Sequence, residues 1–297
     1  MASFLFKAFF RLFGSLPLSA LHSLGTLLGR LTYAVSAQYA ARTRENLRQA
    51  GLAADEAQYR IMLSATIAES GKGITELPWI WGRPYDEVVG KVRHCVGEEH
   101  IEAAQARGKG IIFFTPHLGC FEISSLYASQ RIPITVMYRP PKLGFLETVM
   151  RSGRERGQVR LAKADGGGVR LLYKALKRGE AIGLLPDQVP SKGEGEWADF
   201  FDRPAYTMTL VGRLAESSGA AVLIAYAERL PHGRGYDIHF EPLLLDFSAS
   251  VPQQINAALE RVIRACPAQY LWSYNRYKIP QGVSVPASRS PVSTHAS

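Results

Sequence analysis

Cysteine is scarce in this chain: Cys95, Cys120 and Cys266 are the only three among 297 residues. Three thiols cannot all pair, and their spacing is not that of a metal-ligand set. A disulfide-stapled scaffold and a zinc module are therefore disfavoured, and a reducing compartment is the simpler reading. No internal repeat of about 20–50 residues is visible, which argues against a solenoid or propeller. The nucleophile elbow G-x-S-x-G is absent, so a serine hydrolase of that type is not expected. No small-residue cleavage site closes a short apolar core, so a signal peptide is not expected either. What the chain has is bulk: 46% hydrophobic residues over 297 positions, enough for one large α/β domain with an appendage.

The net charge of +9 is unevenly placed. Between Arg139 and Arg178 eleven Lys and Arg stand against Glu147, Glu155 and Asp165, a local excess of eight. Such a field attracts phosphate-rich or acidic partners, and a solvated helix face is the plain alternative. No nucleic-acid recognition motif accompanies it, so nucleic acid is not expected as a partner.

At the N-terminus Ser3, Lys7 and Arg11 recur at helical spacing, and Phe4, Leu5, Phe6, Phe9, Phe10, Leu12 and Phe13 fill most of the rest. This predicts a basic amphipathic helix lying in a membrane interface and ending at Pro17. Leu18–Ala37 is a second, mostly apolar segment, marginal as a spanning helix because His22 and Arg30 interrupt it and about 20 apolar residues are wanted. Residues 1–40 are thus expected to be a membrane-associated helical segment. Residues 41–279 form the α/β domain, and the Ser/Pro/Val-rich stretch 280–297 is a disordered tail.

Residues 42–78 read as helical. Beyond about residue 88, short β-rich runs alternate with helical patterns: Ile111–Thr115, Ile134–Tyr138, Ala181–Leu185, Ala221–Ala227 and Tyr236–Glu241. The alternation predicts βαβ units around a mostly parallel sheet flanked by helices. A hairpin is predicted through Pro231–Gly235.

The chemistry points to the segment Ile111–Tyr127. A buried strand ends at Pro116, and His117 follows at the carboxyl edge, where open α/β sheets keep their functional crevice. Glu122 comes five residues later. Within one helix the two side chains would stand about 140° apart. With His117 in the turn before the helix, Glu122 can reach back, accept the hydrogen bond of one ring nitrogen and leave the other as a base. The amides of Leu118, Gly119 and Cys120 would then face an oxyanion. A Cys120 nucleophile is disfavoured, since small buried cysteines are usually inert. Gly166–Gly168 reads as a loop leading into a helix rather than a phosphate cradle. Tyr270 and Trp272 read as core packing.

With these motifs go others along the chain: Arg44-Glu45-Asn46-Leu47, Tyr138-Arg139-Pro140, Gly153-Arg154, Lys177-Arg178-Gly179-Glu180, Leu185-Pro186-Asp187-Gln188, Phe200-Phe201 with Thr207, Gln269-Tyr270-Leu271-Trp272 and Asn275-Arg276-Tyr277-Lys278. From the N-terminus to about residue 279 the chain resembles the lipid A biosynthesis lauroyl/myristoyl acyltransferase family. One departure is Gly119-Cys120-Phe121-Glu122, where the family often has Gly-Asn-Trp-Glu. Another is Pro141-Lys142 after the Tyr-Arg-Pro motif. The resemblance implies a glycerophosphate-acyltransferase-like fold at the cytoplasmic face of the inner membrane, peripheral or held by an N-terminal anchor. It implies transfer of a fatty acyl chain from acyl carrier protein, or from acyl-coenzyme A, to a hydroxyl of a phosphorylated lipid A precursor. His117 would be the base and Glu122 its orienter, with Arg154 and Asp187 as further catalytic residues. Arg139, Gly119, Cys120 and Gln188 would meet the substrate. No metal or bound cofactor is expected. Another glycolipid or aminolipid acceptor, and a lipid-binding relative without activity, remain the alternatives.

Overall fold

Four consecutive apolar residues, Ile111 to Phe114, have no solvent face between them, and all four are buried. A strand of that composition needs cover on both sides, and cover on both sides is what parallel sheets in α/β proteins have. The structure is a computed structural model that describes Phe10 and residues 12–285. The expected phenylalanine-rich helix, apart from its last residues, and most of the expected disordered tail lie outside the described residues.

Nine strands are described: β1 (Val92–Val96), β2 (Ile111–Phe114), β3 (Ile134–Tyr138), β4 (Val159–Lys163), β5 (Ala181–Leu184), β6 (Gly195–Phe200), β7 (Arg203–Met208), β8 (Ala221–Arg229) and β9 (Tyr236–Pro242). Seven form one sheet in the order β1-β9-β8-β2-β5-β3-β4, and β6 and β7 form a separate hairpin. From β8 to β4 all neighbours run parallel. β9 returns antiparallel to β8, through a short turn at Pro231–Gly233, which is the hairpin expected there.

Side-chain alternation along the strands divides the core into two layers. Ile112, Phe114, Ile182, Leu184, Val222 and Ile224 face one side, with Leu172, Val211 and Leu259 from helices Gly166–Lys177, Leu210–Ser218 and Val251–Ala265. Phe113, Ile134, Leu223, Ala225, Ile238 and Phe240 face the other, with Ile123 and Leu126 from helix Phe121–Ala128. Leu18 and Leu21 also join this second layer.

The N-terminal helix corrects an expectation. It runs Leu18–Val35, and no helix among the described residues is long and apolar enough to cross a membrane. One side of it belongs to the protein: Leu18, Leu21, His22, Gly25 and Gly29 are buried. Gly25 and Gly29 lie against Gly71 of helix Glu56–Thr75 so closely that a side chain at any of the three would land on the opposite backbone. The other side carries Leu24, Leu27, Leu28, Leu31 and Val35, all exposed. A second correction concerns Gly166–Gly168, which is the first turn of a helix rather than a loop. Asp165 caps it, accepting from the Gly168 amide at 2.8 Å.

Candidate active site

β2 and β5 are adjacent and parallel, so the residues that follow them emerge side by side at the same edge. His117 follows β2 and Asp187 follows β5. The His117 Nδ1 lies 2.8 Å from Asp187 Oδ1, and the His117 backbone amide donates to Asp187 Oδ2 at 2.8 Å. The carboxylate thus fixes both the ring and the chain that carries it. Burial would raise the Asp187 pKa, but the imidazole beside it, the hydrogen bonds from His117 and the charge of Arg276 hold it below the ordinary carboxylate range. With Nδ1 donating to Asp187, Nε2 is the unprotonated ring nitrogen and accepts from the Gln188 side-chain nitrogen at 3.2 Å.

Glu122, expected to orient His117, is elsewhere engaged. It is buried and accepts from Arg154 Nε at 2.8 Å and from Trp81 Nε1 at 3.0 Å, while Arg154 Nη2 closes on its second oxygen. Burial alone would lower the Arg154 pKa, but the Glu122 charge and hydrogen bonds raise it overall. Gly153 explains its place beside Arg154: any side chain there would strike Trp81. Two pairs therefore stand where one dyad was expected, the hydrogen-bonded His117–Asp187 and the ion pair Arg154–Glu122.

The expected oxyanion amides are also engaged. Leu118 N donates to Pro116 O at 2.8 Å, Gly119 N to Gln269 O at 3.0 Å and Cys120 N to Ala227 O at 2.9 Å. The last two bonds bind the His117 turn to β8 and to the segment after helix Val251–Ala265. Gly119 has φ of 57°, and a Cβ there would land on the Ala227 carbonyl oxygen. Glycine is required on both counts. Cys120 is buried, and burial drives its thiol pKa well up, which makes it a poor nucleophile.

A buried ionic cluster, which the sequence reading missed, lies behind this turn. Arg229 at the end of β8 pairs with Glu76 at 2.5 Å and Glu69 at 2.7 Å, and its guanidinium also donates to the Gly119 carbonyl at 3.0 Å. Tyr236 donates to Glu76 at 3.0 Å, and His22 lies 3.3 Å from it. Burial works to raise the Glu76 pKa, yet Arg229 and His22 bring it down to about 2.

His117, Glu122, Arg154, Arg139 and Gln188 all open onto one cavity of about 620 Å³. That volume is within the range of about 300–1,000 Å³ usual for small-molecule sites. Away from the charged residues the wall is apolar, built from Phe113, Ile134, Val136, Ala225 and Phe240 on the sheet and Ala128 opposite. The eleven cations of 139–178 lie on helix Gly144–Arg154, β4, helix Gly166–Lys177 and its C-cap, and in the loops that join β3 to that first helix and the helix to β4, so the charge excess is gathered at the β4 edge of the sheet. Among the described residues no cluster of His, Cys, Asp and Glu has the arrangement of a metal site.

The fold is α/β, and its cavity joins the polar and charged side chains of His117, Glu122, Arg154 and Arg139 to an apolar wall. The chain belongs to the bacterial lipid A biosynthesis acyltransferase family, whose model matches residues 1–279, and it is an acyltransferase. It is 27% identical over 274 residues to the lipid A biosynthesis lauroyltransferase of Escherichia coli (strain K12), covering 90% of this chain and 89% of that relative. It is 26% identical over 267 residues to the palmitoleoyltransferase of the same strain, covering 89% and 86%. A lipid A biosynthesis acyltransferase of Haemophilus influenzae is 28% identical over 183 residues, 60% of this chain and 56% of that one.

Proposed function

We propose that this enzyme transfers a fatty acyl chain from an acyl thioester, carried by acyl carrier protein or coenzyme A, to a hydroxyl of a phosphorylated lipid A precursor, with His117 as the base. The observation that carries this reading is the His117–Asp187 pair at the mouth of the apolar cavity. His117 Nε2 removes the acceptor hydroxyl proton, and the oxygen attacks the thioester carbonyl. The carbon–sulfur bond then breaks, and the departing thiolate takes the proton from the imidazolium. Asp187 keeps the ring in the productive tautomer and stabilises its charged form. With the Leu118, Gly119 and Cys120 amides engaged, the developing oxyanion is left to side-chain donors on the cavity wall, Arg154 and Gln188. Glu122 acts on this chemistry through Arg154. Arg139 at the mouth suits bidentate contact with an acceptor phosphate. The basic β4 edge suits an acidic carrier by long-range attraction.

The exposed leucine row of helix Leu18–Val35 supports contact with the inner-membrane surface, at the cytoplasmic face where the acceptor would lie. A helix with one side in the core and a second apolar side in solvent has the form of an interfacial element. A different glycolipid or aminolipid acceptor would use the same site. Purified protein given an acyl donor and a lipid A precursor tests the reading directly. His117→Ala should lower turnover by about 10²–10⁴-fold with the fold intact. Near-normal turnover by a folded His117→Ala protein would sink the mechanism. Mass spectrometry of lipid A from cells with and without the gene identifies the acceptor position.

A further inference from the structure

The floor of the cavity contains a gap that the sequence pattern around it does not require. Val136 of β3 pairs with Gly183 of β5, and Gly183 pairs in turn with Phe113 of β2. The three positions form one row across the middle of the sheet, and all three line the cavity. The two outer positions carry large side chains and the central one carries none. Gly183 is in the centre of a buried strand, where glycine weakens the sheet and an apolar side chain would ordinarily be used. Its φ is not in the left-handed region, so no turn demands it.

The environment of Gly183 is tight, and what closes on it is side chain. The atoms nearest a Cβ built there are Val136 Cγ2 at 3.1 Å, Ile134 Cδ1 at 3.6 Å and Val136 Cγ1 at 3.6 Å, so Val136 would have to shift by a few tenths of an ångström to admit it. None of these nearest atoms is backbone, in contrast to Gly119 and Gly168. A glycine in a strand interior often marks the close approach of a ligand. The row lies two residues, about 6.6 Å, inside the level of Thr115 and Leu185 at the carboxyl edge. His117 stands beyond that edge. Past the row the cavity continues to Ile134 at the start of β3 and to Ala128 on the opposite helix.

We propose that the transferred acyl chain runs from His117 down the sheet face and passes over Gly183, and that the missing side chain at Gly183, with Val136 beside it, sets the longest chain the enzyme accepts. The chain's carbonyl end sits at the polar mouth and its methyl end lies beyond the row Val136–Gly183–Phe113. Val136 is the movable wall of the passage, since it is the nearest neighbour of the missing side chain. This assignment rests on the acyl-transfer reading of the same cavity.

The test uses the full-length enzyme, one acceptor and a ladder of acyl-coenzyme A thioesters that lengthen by two carbons. Gly183→Ala and Gly183→Val should shift the preferred donor to shorter chains, with total rate on the shortest donors retained. Each methylene that loses its buried place costs about fourfold, so the rate ratio of a donor to one two carbons shorter should fall about 15-fold in the variant. Val136→Ala opens the same passage without adding strain and should shift the preference to longer chains. Opposite shifts in the two directions support the assignment. An unchanged chain-length profile in Val136→Ala and Gly183→Ala, both active, overturns it. So does a rate that falls equally on every donor, or a preference that moves with the chains of the acceptor and not of the donor. Failure of the wild-type enzyme to transfer any acyl chain, from this ladder and from the matching acyl carrier protein thioesters, would instead overturn the acyl-transfer reading of the cavity, and the chain-length assignment with it.

Discussion

Asp187 grips His117 at two points, its ring through Oδ1 and its backbone amide through Oδ2, each at 2.8 Å. A carboxylate bound in this way does more than charge stabilisation. It ties the loop after β5 to the turn after β2, so removing it loosens the position of the base as well as its tautomer. Asp187→Asn should therefore lower kcat by about 10²–10⁴-fold. KM for either substrate should move little, because the residue is buried behind the base. Steady-state kinetics on the folded variant decides this. A loss confined to KM would remove Asp187 from the catalytic pair.

The strand–histidine–helix layout was readable because Ile111–Phe114 is wholly apolar and Pro116 stops it. The partner of His117 was not. Asp187 is 70 residues away, and the strand order that makes β2 and β5 neighbours leaves no local trace. Glu122, the nearest carboxylate in the sequence, therefore took the role on proximity. The oxyanion expectation failed for a related reason, since the partners of the Gly119 and Cys120 amides come from residues 269 and 227. β4 was hidden because Arg160 and Lys163 on its exposed side read as part of the basic stretch. The β6–β7 hairpin was hidden because its turn uses Phe201 and Asp202, with φ of 49° and 58°, in place of the usual asparagine and glycine. Several motifs of the family resemblance are structural: Asn46 holds the carbonyls of Trp272 and Tyr274 at 2.7 and 2.8 Å, and Arg276 binds Thr207 at 2.7 Å.

The Arg229–Glu76 cluster predicts an acid limb of stability. The Glu76 pKa falls from 4.5 to about 2 on folding. A depressed carboxyl contributes stability that is fully present above its unfolded pKa and is lost as pH falls through the folded value. Wild type should lose this contribution between about pH 4.5 and pH 2. Glu76→Gln should already lack it at neutral pH, so the stability difference between the two proteins should shrink as the pH falls. Denaturant titrations of both at stepped pH measure the difference. A gap that stays constant down to pH 2 contradicts the assignment.

The exposed leucines make a separable prediction about the membrane. Deleting residues 1–37 is a poor probe, because Leu18 and Leu21 belong to the core and His22 contacts Glu76. Leu24→Ser, Leu27→Ser and Leu31→Ser combined touch only the solvent side. The triple variant should keep its thermal midpoint and its turnover on detergent-dispersed acceptor. It should bind anionic vesicles more weakly, by about tenfold or more, given the apolar area lost. Equal flotation of wild type and variant with vesicles would place the membrane contact elsewhere.

Glu122 and Arg154 supply the last prediction, because their pairing gives two mutations a shared consequence. Each is largely buried and each is the other's main charge partner. Removing one leaves an uncompensated charge beside the cavity, which costs about 3–5 kcal/mol when a buried pair is broken. Glu122→Ala and Arg154→Ala should each lower stability by that order. The double variant should recover part of the loss, since neither charge is then stranded. Activity should behave differently. If Arg154 carries the oxyanion and Glu122 only positions it, Arg154→Ala should cost about 10²–10³-fold in kcat, and adding Glu122→Ala should cost no more. Glu122→Gln, which can still accept from Trp81 and Arg154, should keep more activity than Glu122→Ala. The cycle is read by denaturant midpoints and kcat on the same four proteins. Multiplicative losses in kcat would mean that Glu122 acts on the reaction independently of Arg154, and with Asp187 already on the imidazole that would require a direct contact between Glu122 and the substrate.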